Sequence, residues 1–273
     1  MVSEEMYVLG TKKSTIRTIF EFGQKRAAEV GAENVFDFSL GNPNVPVPDF
    51  IRDAAVDILM HGDPTEVHGY TIAPGKPAVR EVLAADLKRR FGMEVTGKNL
   101  FMTAGAAASV TITFKALTEP GDEFVTFAPF FPEYRVFVEA CGGKLVVVPA
   151  KTDDFQIDLT ALERTVTPRT KAVIVNSPNN PSGAVYRETT IRRLADLLRA
   201  KEQEYGHPIF IVADEPYREI VYDGASVPCI PLFYDNTIVC YSYSKSFSLP
   251  GERIGYIVVP DTAADFARIY GAI

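Results

Sequence analysis

From about residue 99 the chain alternates short apolar runs with longer amphipathic ones. The short runs cover residues 100–103, 123–127, 144–149, 171–176, 209–214, 237–242 and 254–259, and they predict strands. The run over 209–214, Ile-Phe-Ile-Val-Ala-Asp, is β-branched and apolar up to its last residue, as in a strand buried on both faces. Helical periodicity appears between the strands, over residues 187–205 for example, and again over 262–270. Such alternation predicts an α/β fold with a mostly parallel sheet and ligands at the carboxyl ends of its strands. The first 50 or so residues differ: a helical stretch over 14–30 precedes a Pro-rich extended arm over 41–48.

Three predicted strands end in residues suited to chemistry. Asp214 closes its strand and is expected to be partly desolvated, so it needs a cationic partner or strong donors. The run Ala172-Val-Ile-Val-Asn-Ser-Pro-Asn-Asn180-Pro-Ser-Gly183 breaks from a strand into a turn that presents amide side chains. Leu100-Phe-Met-Thr-Ala-Gly105-Ala-Ala passes through a glycine into an alanine-rich helix start, whose free N–H groups and positive dipole end suit an anion. A fourth run, Tyr241-Ser-Tyr-Ser-Lys245-Ser-Phe-Ser-Leu-Pro-Gly-Glu-Arg253, sets one lysine among small hydroxylic residues with a permanent cation nearby. A lysine between serines is ordinarily a solvated surface residue, yet this company makes Lys245 a candidate covalent anchor.

Composition narrows the classes. At 273 residues and 47% hydrophobic the chain can bury a large core, near the length at which chains split into domains. A net charge of -7, with Lys and Arg scattered, speaks against nucleic acid. No apolar stretch is long enough to span a membrane, and the acidic start Met1-Val-Ser-Glu-Glu is unlike a secretion signal, so the expected place is the cytoplasm. Cys141, Cys229 and Cys240 are read as small core residues; with three dispersed histidines they indicate neither disulfides nor a metal site.

Seven motifs carry a resemblance: Gly41-Asn-Pro43, Gly69-Tyr70-Thr71, Gly105-Ala-Ala107, Pro129-Phe-Phe-Pro-Glu-Tyr134, Asn176 to Gly183, Asp214-Glu-Pro-Tyr217 and Ser242-Tyr-Ser-Lys245 through Arg253. Each is weak by itself, since Asn-Pro and Gly-Tyr pairs are common turns, but in this order the chain resembles the class I/II aminotransferases, fold type I enzymes that use pyridoxal 5'-phosphate. The resemblance implies a three-layer α/β/α large domain that binds the cofactor over residues 51–273. It also implies an N-terminal helix and arm over 1–50 belonging to a small domain, and a C-terminal small domain that is missing.

It further implies residue roles. Lys245 would form a Schiff base with the cofactor and then move a proton; Asp214 would pair with the ring nitrogen; Tyr217 and Asn180 would bond the ring's phenolic oxygen. Phe131 would lie against the ring face. Gly105, Ala106 and Ala107, the hydroxyls of Ser242 and Ser244, and Arg253 would hold the phosphate, with Tyr70 reaching it from a neighbouring subunit of a homodimer. Gly41 and Asn180 would bind substrate, an amino acid or a 2-oxo acid. Family members supply a further arginine for the substrate carboxylate, and only Arg268 follows Arg253 here. The chain is therefore expected to be a fragment that binds cofactor weakly and transaminates poorly. A lyase or decarboxylase on the same scaffold, or a non-catalytic scaffold fragment, are the alternatives.

Overall fold

The computed structural model describes residues 2, 4–11, 15–39 and 41–273. They divide into two compact units, Met1–Val45 and Pro46–Ile273. The first holds helices α1 (Glu4–Thr11) and α2 (Thr15–Val30). Ser14, the expected start of α2, lies outside the described residues. Residues 41–48 carry neither helix nor strand.

The second unit opens with α3 (Asp49–His61), α4 (Pro64–His68) and α5 (Pro77–Phe91). Sequence reasoning passed over these helices, although α5 begins at a proline and ends at Gly92 in the left-handed conformation (φ 72°), two ordinary helix boundaries. Then come β1 (Leu100–Thr103), α6 (Ala106–Leu117), β2 (Glu123–Phe127), α7 (Glu133–Glu139), β3 (Lys144–Val148), α8 (Leu159–Thr165) and β4 (Thr170–Asn176). The chain continues through α9 (Glu188–Tyr205), β5 (Phe210–Asp214), β6 (Thr237–Ser242), α10 (Tyr243–Ser246), β7 (Gly255–Val258) and α11 (Phe266–Ala272). The strands fall within a residue or so of expectation. Helix α11 begins four residues later than the periodicity predicts, because its N-cap Asp265 adopts a left-handed φ of 55°, which breaks the helical path.

The seven strands form one sheet in the order β1-β7-β6-β5-β4-β2-β3. Pairs β2–β3, β2–β4, β4–β5 and β5–β6 are parallel, whereas β7 runs antiparallel to both β6 and β1. Alternate residues of each central strand serve opposite faces. Val173, Val175, Ile211, Ala213 and Val239 pack with Leu87 of α5, Leu162 of α8 and Leu194 and Leu198 of α9. Ala172, Ile174, Phe210, Val212 and Ile238 pack with Val110 and Phe114 of α6, Val138 of α7 and Ile269 of α11. The result is the expected three-layer α/β/α architecture, with a core on each side of a sheet that has no solvated face. All three cysteines are free. Among the described residues no helix is long and apolar enough to cross a membrane.

Candidate active site

Strand register brings the predicted residues to one edge. Asn176 pairs with Asp214, and Asp214 with Cys240, across β4, β5 and β6. Farther along, Ser242 pairs with Gly255, and Gly255 with Thr103, across β6, β7 and β1. The carboxyl ends of β4, β5, β6 and β1 therefore deliver Asn176, Asp214, Ser242 with the Lys245 turn, and Gly105 to a common rim.

Asp214 is 6% exposed and defines the chemistry of that rim. Tyr134 donates its hydroxyl to Asp214 Oδ2 at 2.5 Å. The other carboxylate oxygen, Oδ1, is buried with no hydrogen-bond partner. Burial pushes the Asp214 acid up to about 7; the Tyr134 bond opposes this, and the nearby charge of Glu215 adds to it. An unpaired oxygen on a buried carboxylate costs free energy until a donor reaches it, so Oδ1 calls for a cationic N–H.

Asn176 organises the adjoining turn: its Nδ2 donates to the Asp214 carbonyl at 2.8 Å, and its Oδ1 accepts from the Asn180 N–H at 2.7 Å. Asn180 Nδ2 in turn donates to the Tyr217 hydroxyl at 3.3 Å. Burial, then the Asp214 charge, raise the Tyr217 phenol above its usual range, while the Asn180 bond lowers it. Phe131 is half-buried and meets Tyr134 edge-to-face, centroids 5.6 Å apart. Sequence reasoning assigned no role to Tyr134 or Asn176. Their signal was a polar side chain set in a segment otherwise committed to the core.

Lys245 sits half-buried in α10, one turn beyond β6. Burial first, and the Arg253 guanidinium second, hold its ammonium below the usual lysine range. Ser242 caps that turn by accepting from the Ser244 N–H at 3.0 Å, and its own hydroxyl donates to Ser244 Oγ at 2.7 Å. Of the two serines expected to hold an anion, Ser242 is thus engaged within the turn, which leaves the Ser244 O–H to donate outward.

Gly105 is the N-cap of α6 with φ 88°, and Ala106 and Ala107 begin the helix. A Cβ at Gly105 would stand 2.7 Å from Arg253 Nη2, so a larger residue there would push the guanidinium from this helix start and would also be strained at the positive φ. Gly255 packs on the same point; a Cβ there would stand 2.9 Å from the Gly105 Cα. Arg253 also donates to the Pro250 carbonyl at 3.0 Å. An arginine beside the first N–H groups of a twelve-residue helix is a cradle for a dianionic phosphate. Tyr70 stands fully exposed, and Gly41 belongs to the unit Met1–Val45.

A family model described as aminotransferase class I and II matches residues 33–271. The chain belongs to that family. It is 35% identical to a probable aspartate/prephenate aminotransferase of Thermus aquaticus over 81% of this chain and 55% of that one. It is 33% identical to one of Aquifex aeolicus over 91% and 61%. This family member thus spans between 55% and 61% of the length of these two curated relatives. Among solved structures, an aminotransferase from Eubacterium rectale matches with a TM-score of 0.97 at 56% identity, covering 100% of this chain and 69% of that one. The aspartate aminotransferase of Thermus thermophilus with maleate matches with a TM-score of 0.81 at 29% identity, covering 99% and 68%. Enzymes of this family work with pyridoxal 5'-phosphate.

Proposed function

We propose that the chain is the cofactor-binding portion of an aminotransferase that moves an amino group from an α-amino acid to a 2-oxo acid. One observation carries this beyond membership of the family: the buried Asp214 Oδ1 lacks a partner, and the pyridine nitrogen of pyridoxal 5'-phosphate is a donor of the required kind. The rest of the rim fits the same group, with Gly105, Ala106, Ala107, Ser244 and Arg253 for its phosphate, Tyr217 and Asn180 for its phenolic oxygen, and Phe131 for its face.

Bound there, the cofactor supplies an electron sink for the bond broken at the substrate α-carbon. The protein's part is to hold protons. Ionised Asp214 keeps a proton at the ring nitrogen. Lys245, whose ammonium is held below the usual lysine range by burial and by Arg253, can carry a proton to and from the α-carbon. Tyr217 and Asn180 orient the phenolic oxygen, and Asn180 is assigned to substrate as well. We assign the working form to a cytoplasmic homodimer in which Tyr70 reaches the partner's phosphate site; the full exposure of Tyr70, together with the largely exposed Phe50, Leu59 and Met60, supports this reading.

The test is covalent capture. Pyridoxal 5'-phosphate followed by borohydride should leave one adduct, on the peptide containing Lys245, and none in Lys245→Ala. An adduct spread over surface lysines, with Lys245 unmodified, overturns the proposal.

A further inference from the structure

Lys245 needs a rigid mount, and the contacts behind α10 supply one. Tyr241, 4% exposed, donates its hydroxyl to Glu219 Oε2 at 2.9 Å and lies 3.0 Å from Ser246 Oγ. A carboxylate can only accept, so the tyrosine proton goes to Glu219 and the Ser246 O–H donates to the tyrosine oxygen. Arg90 of α5 fixes the far side of Glu219 through a 2.7 Å ion pair. The Tyr241 ring is itself immobilised, stacked on Tyr256 with centroids 5.0 Å apart and met edge-on by Tyr243 at 5.1 Å. Tyr243 stacks in turn on Phe247, just past the lysine turn, at 5.6 Å.

The position of these groups gives them meaning. Glu219 lies five residues beyond Asp214 and two beyond Tyr217, in the loop that leaves β5. Ser246 is the residue after Lys245. The β5–β6 ladder has its last pair at Asp214 and Cys240, so beyond it these two segments share no strand pairing, although β6 continues against β7 to Ser242. The Tyr241 hydroxyl touches both.

We propose that Tyr241 is a positioning residue: its hydroxyl, through Glu219 and Ser246, locks the turn of Lys245 to the loop of Asp214 and Tyr217. This rests on the proposed role of Lys245. It adds a group that touches neither cofactor nor substrate and acts through the geometry of the amine.

The experiment compares Tyr241→Phe, Ser246→Ala and Ser246→Thr with the parent chain, using pyridoxal 5'-phosphate as probe. Tyr241→Phe keeps the ring stack and removes only the bridge; Ser246→Thr restores the hydroxyl that Ser246→Ala removes. Three quantities are read: the rate of borohydride-trapped adduct at Lys245, the pH midpoint of that rate, and the thermal unfolding midpoint of the unloaded protein. Ser246→Ala should slow capture about tenfold, the worth of one hydrogen bond, and Tyr241→Phe, which loses the bonds to both Glu219 and Ser246, at least as much; both should move the pH midpoint upward as the lysine turn loosens into water. The double variant should be no slower than Tyr241→Phe alone, since both break one link. Ser246→Thr should behave as the parent.

Parental capture rates and pH midpoints in Tyr241→Phe and Ser246→Ala overturn the inference while leaving the role of Lys245 standing. So does slower capture that tracks the unfolding midpoint with the pH midpoint unmoved. No adduct on Lys245 in the parent overturns both.

Discussion

Two stretches of the same unit reverse the usual placement of residues. At the carboxyl ends of β4, β5 and β6, Asn176, Asp214, Glu215 and Ser242 are polar and buried. Along α3 and α4, Phe50, Val56, Ile58, Leu59 and Met60 are apolar and exposed, and neither helix has a buried residue. The buried polar cluster is costly unless satisfied, and most of it is satisfied internally, by Tyr134, by the amide of Asn176 and by the Arg218 partner of Glu215. Asp214 Oδ1 and Glu215 Oε1 remain without hydrogen-bond partners; Glu215 is already paired with the buried Arg218 guanidinium, whereas no cation meets Asp214 among the described residues, so Oδ1 points to a ligand. An exposed apolar helix face costs much less and specifies much less: it is open to the proposed second copy of the chain without identifying one.

The largest effect that sharpens this contrast is on stability. Folded Asp214 has a pKa of about 7 against 3.8 for the ordinary group. Between these values the folded chain binds more protons than the unfolded one, so this group makes stability fall as pH rises from about 4 to 7, then level off. A shift of that size corresponds to a few kcal/mol, on the order of 1.4 per unit. Asp214→Asn should remove this contribution and leave the unloaded protein more stable than the parent at pH 8, with part of the slope remaining because burial also raises Glu215. Denaturant unfolding at pH 4.5 and pH 8 measures it, and equal slopes in parent and variant would break the account of Asp214.

A middling effect belongs to the phosphate cradle. Gly105→Ala must accept a strained φ and push Arg253 aside, costing about 1–3 kcal/mol of stability and weakening pyridoxal 5'-phosphate binding. Gly142→Ala is the control, since its φ of 87° is nearly the same but nothing lies within 4 Å of the added carbon. It should share the backbone strain and leave binding alone; equal binding losses at both positions would remove the cradle from the argument.

The smallest effect is expected on α3. Leu59 is 62% exposed, so Leu59→Ser should change unfolding of the dilute chain by no more than about 0.5 kcal/mol. Its effect should appear instead as a lower dimer fraction in sedimentation at high protein concentration. A large loss in the dilute chain would mean that α3 is part of the core.

What could be read in advance follows the same division. Strand runs such as the one ending at Asp214 were legible because a strand buried on both faces must be apolar throughout, and a carboxylate at its end has few structural excuses. Gly105 and Arg253 could be named, but their mutual contact depends on β7 reversing direction beside β6 and β1, which the pattern of residues does not encode. Tyr134 was hidden because its phenol reads as core until its hydroxyl is seen on Asp214. Helix α3 escaped notice for the opposite reason: it buries nothing within the described residues, so its apolar positions do not mark out a core-facing stripe.

The central claim is that the amine of Lys245 and the acid of Asp214 serve one heterocycle. A crystal structure of the protein with pyridoxal 5'-phosphate tests it most directly. The account predicts the ring nitrogen within hydrogen-bond distance of Asp214 Oδ1, the aldehyde carbon bonded to Lys245 Nζ, and the phosphate at Gly105 and Arg253. A ring bound elsewhere, with Oδ1 still lacking a donor, would contradict it.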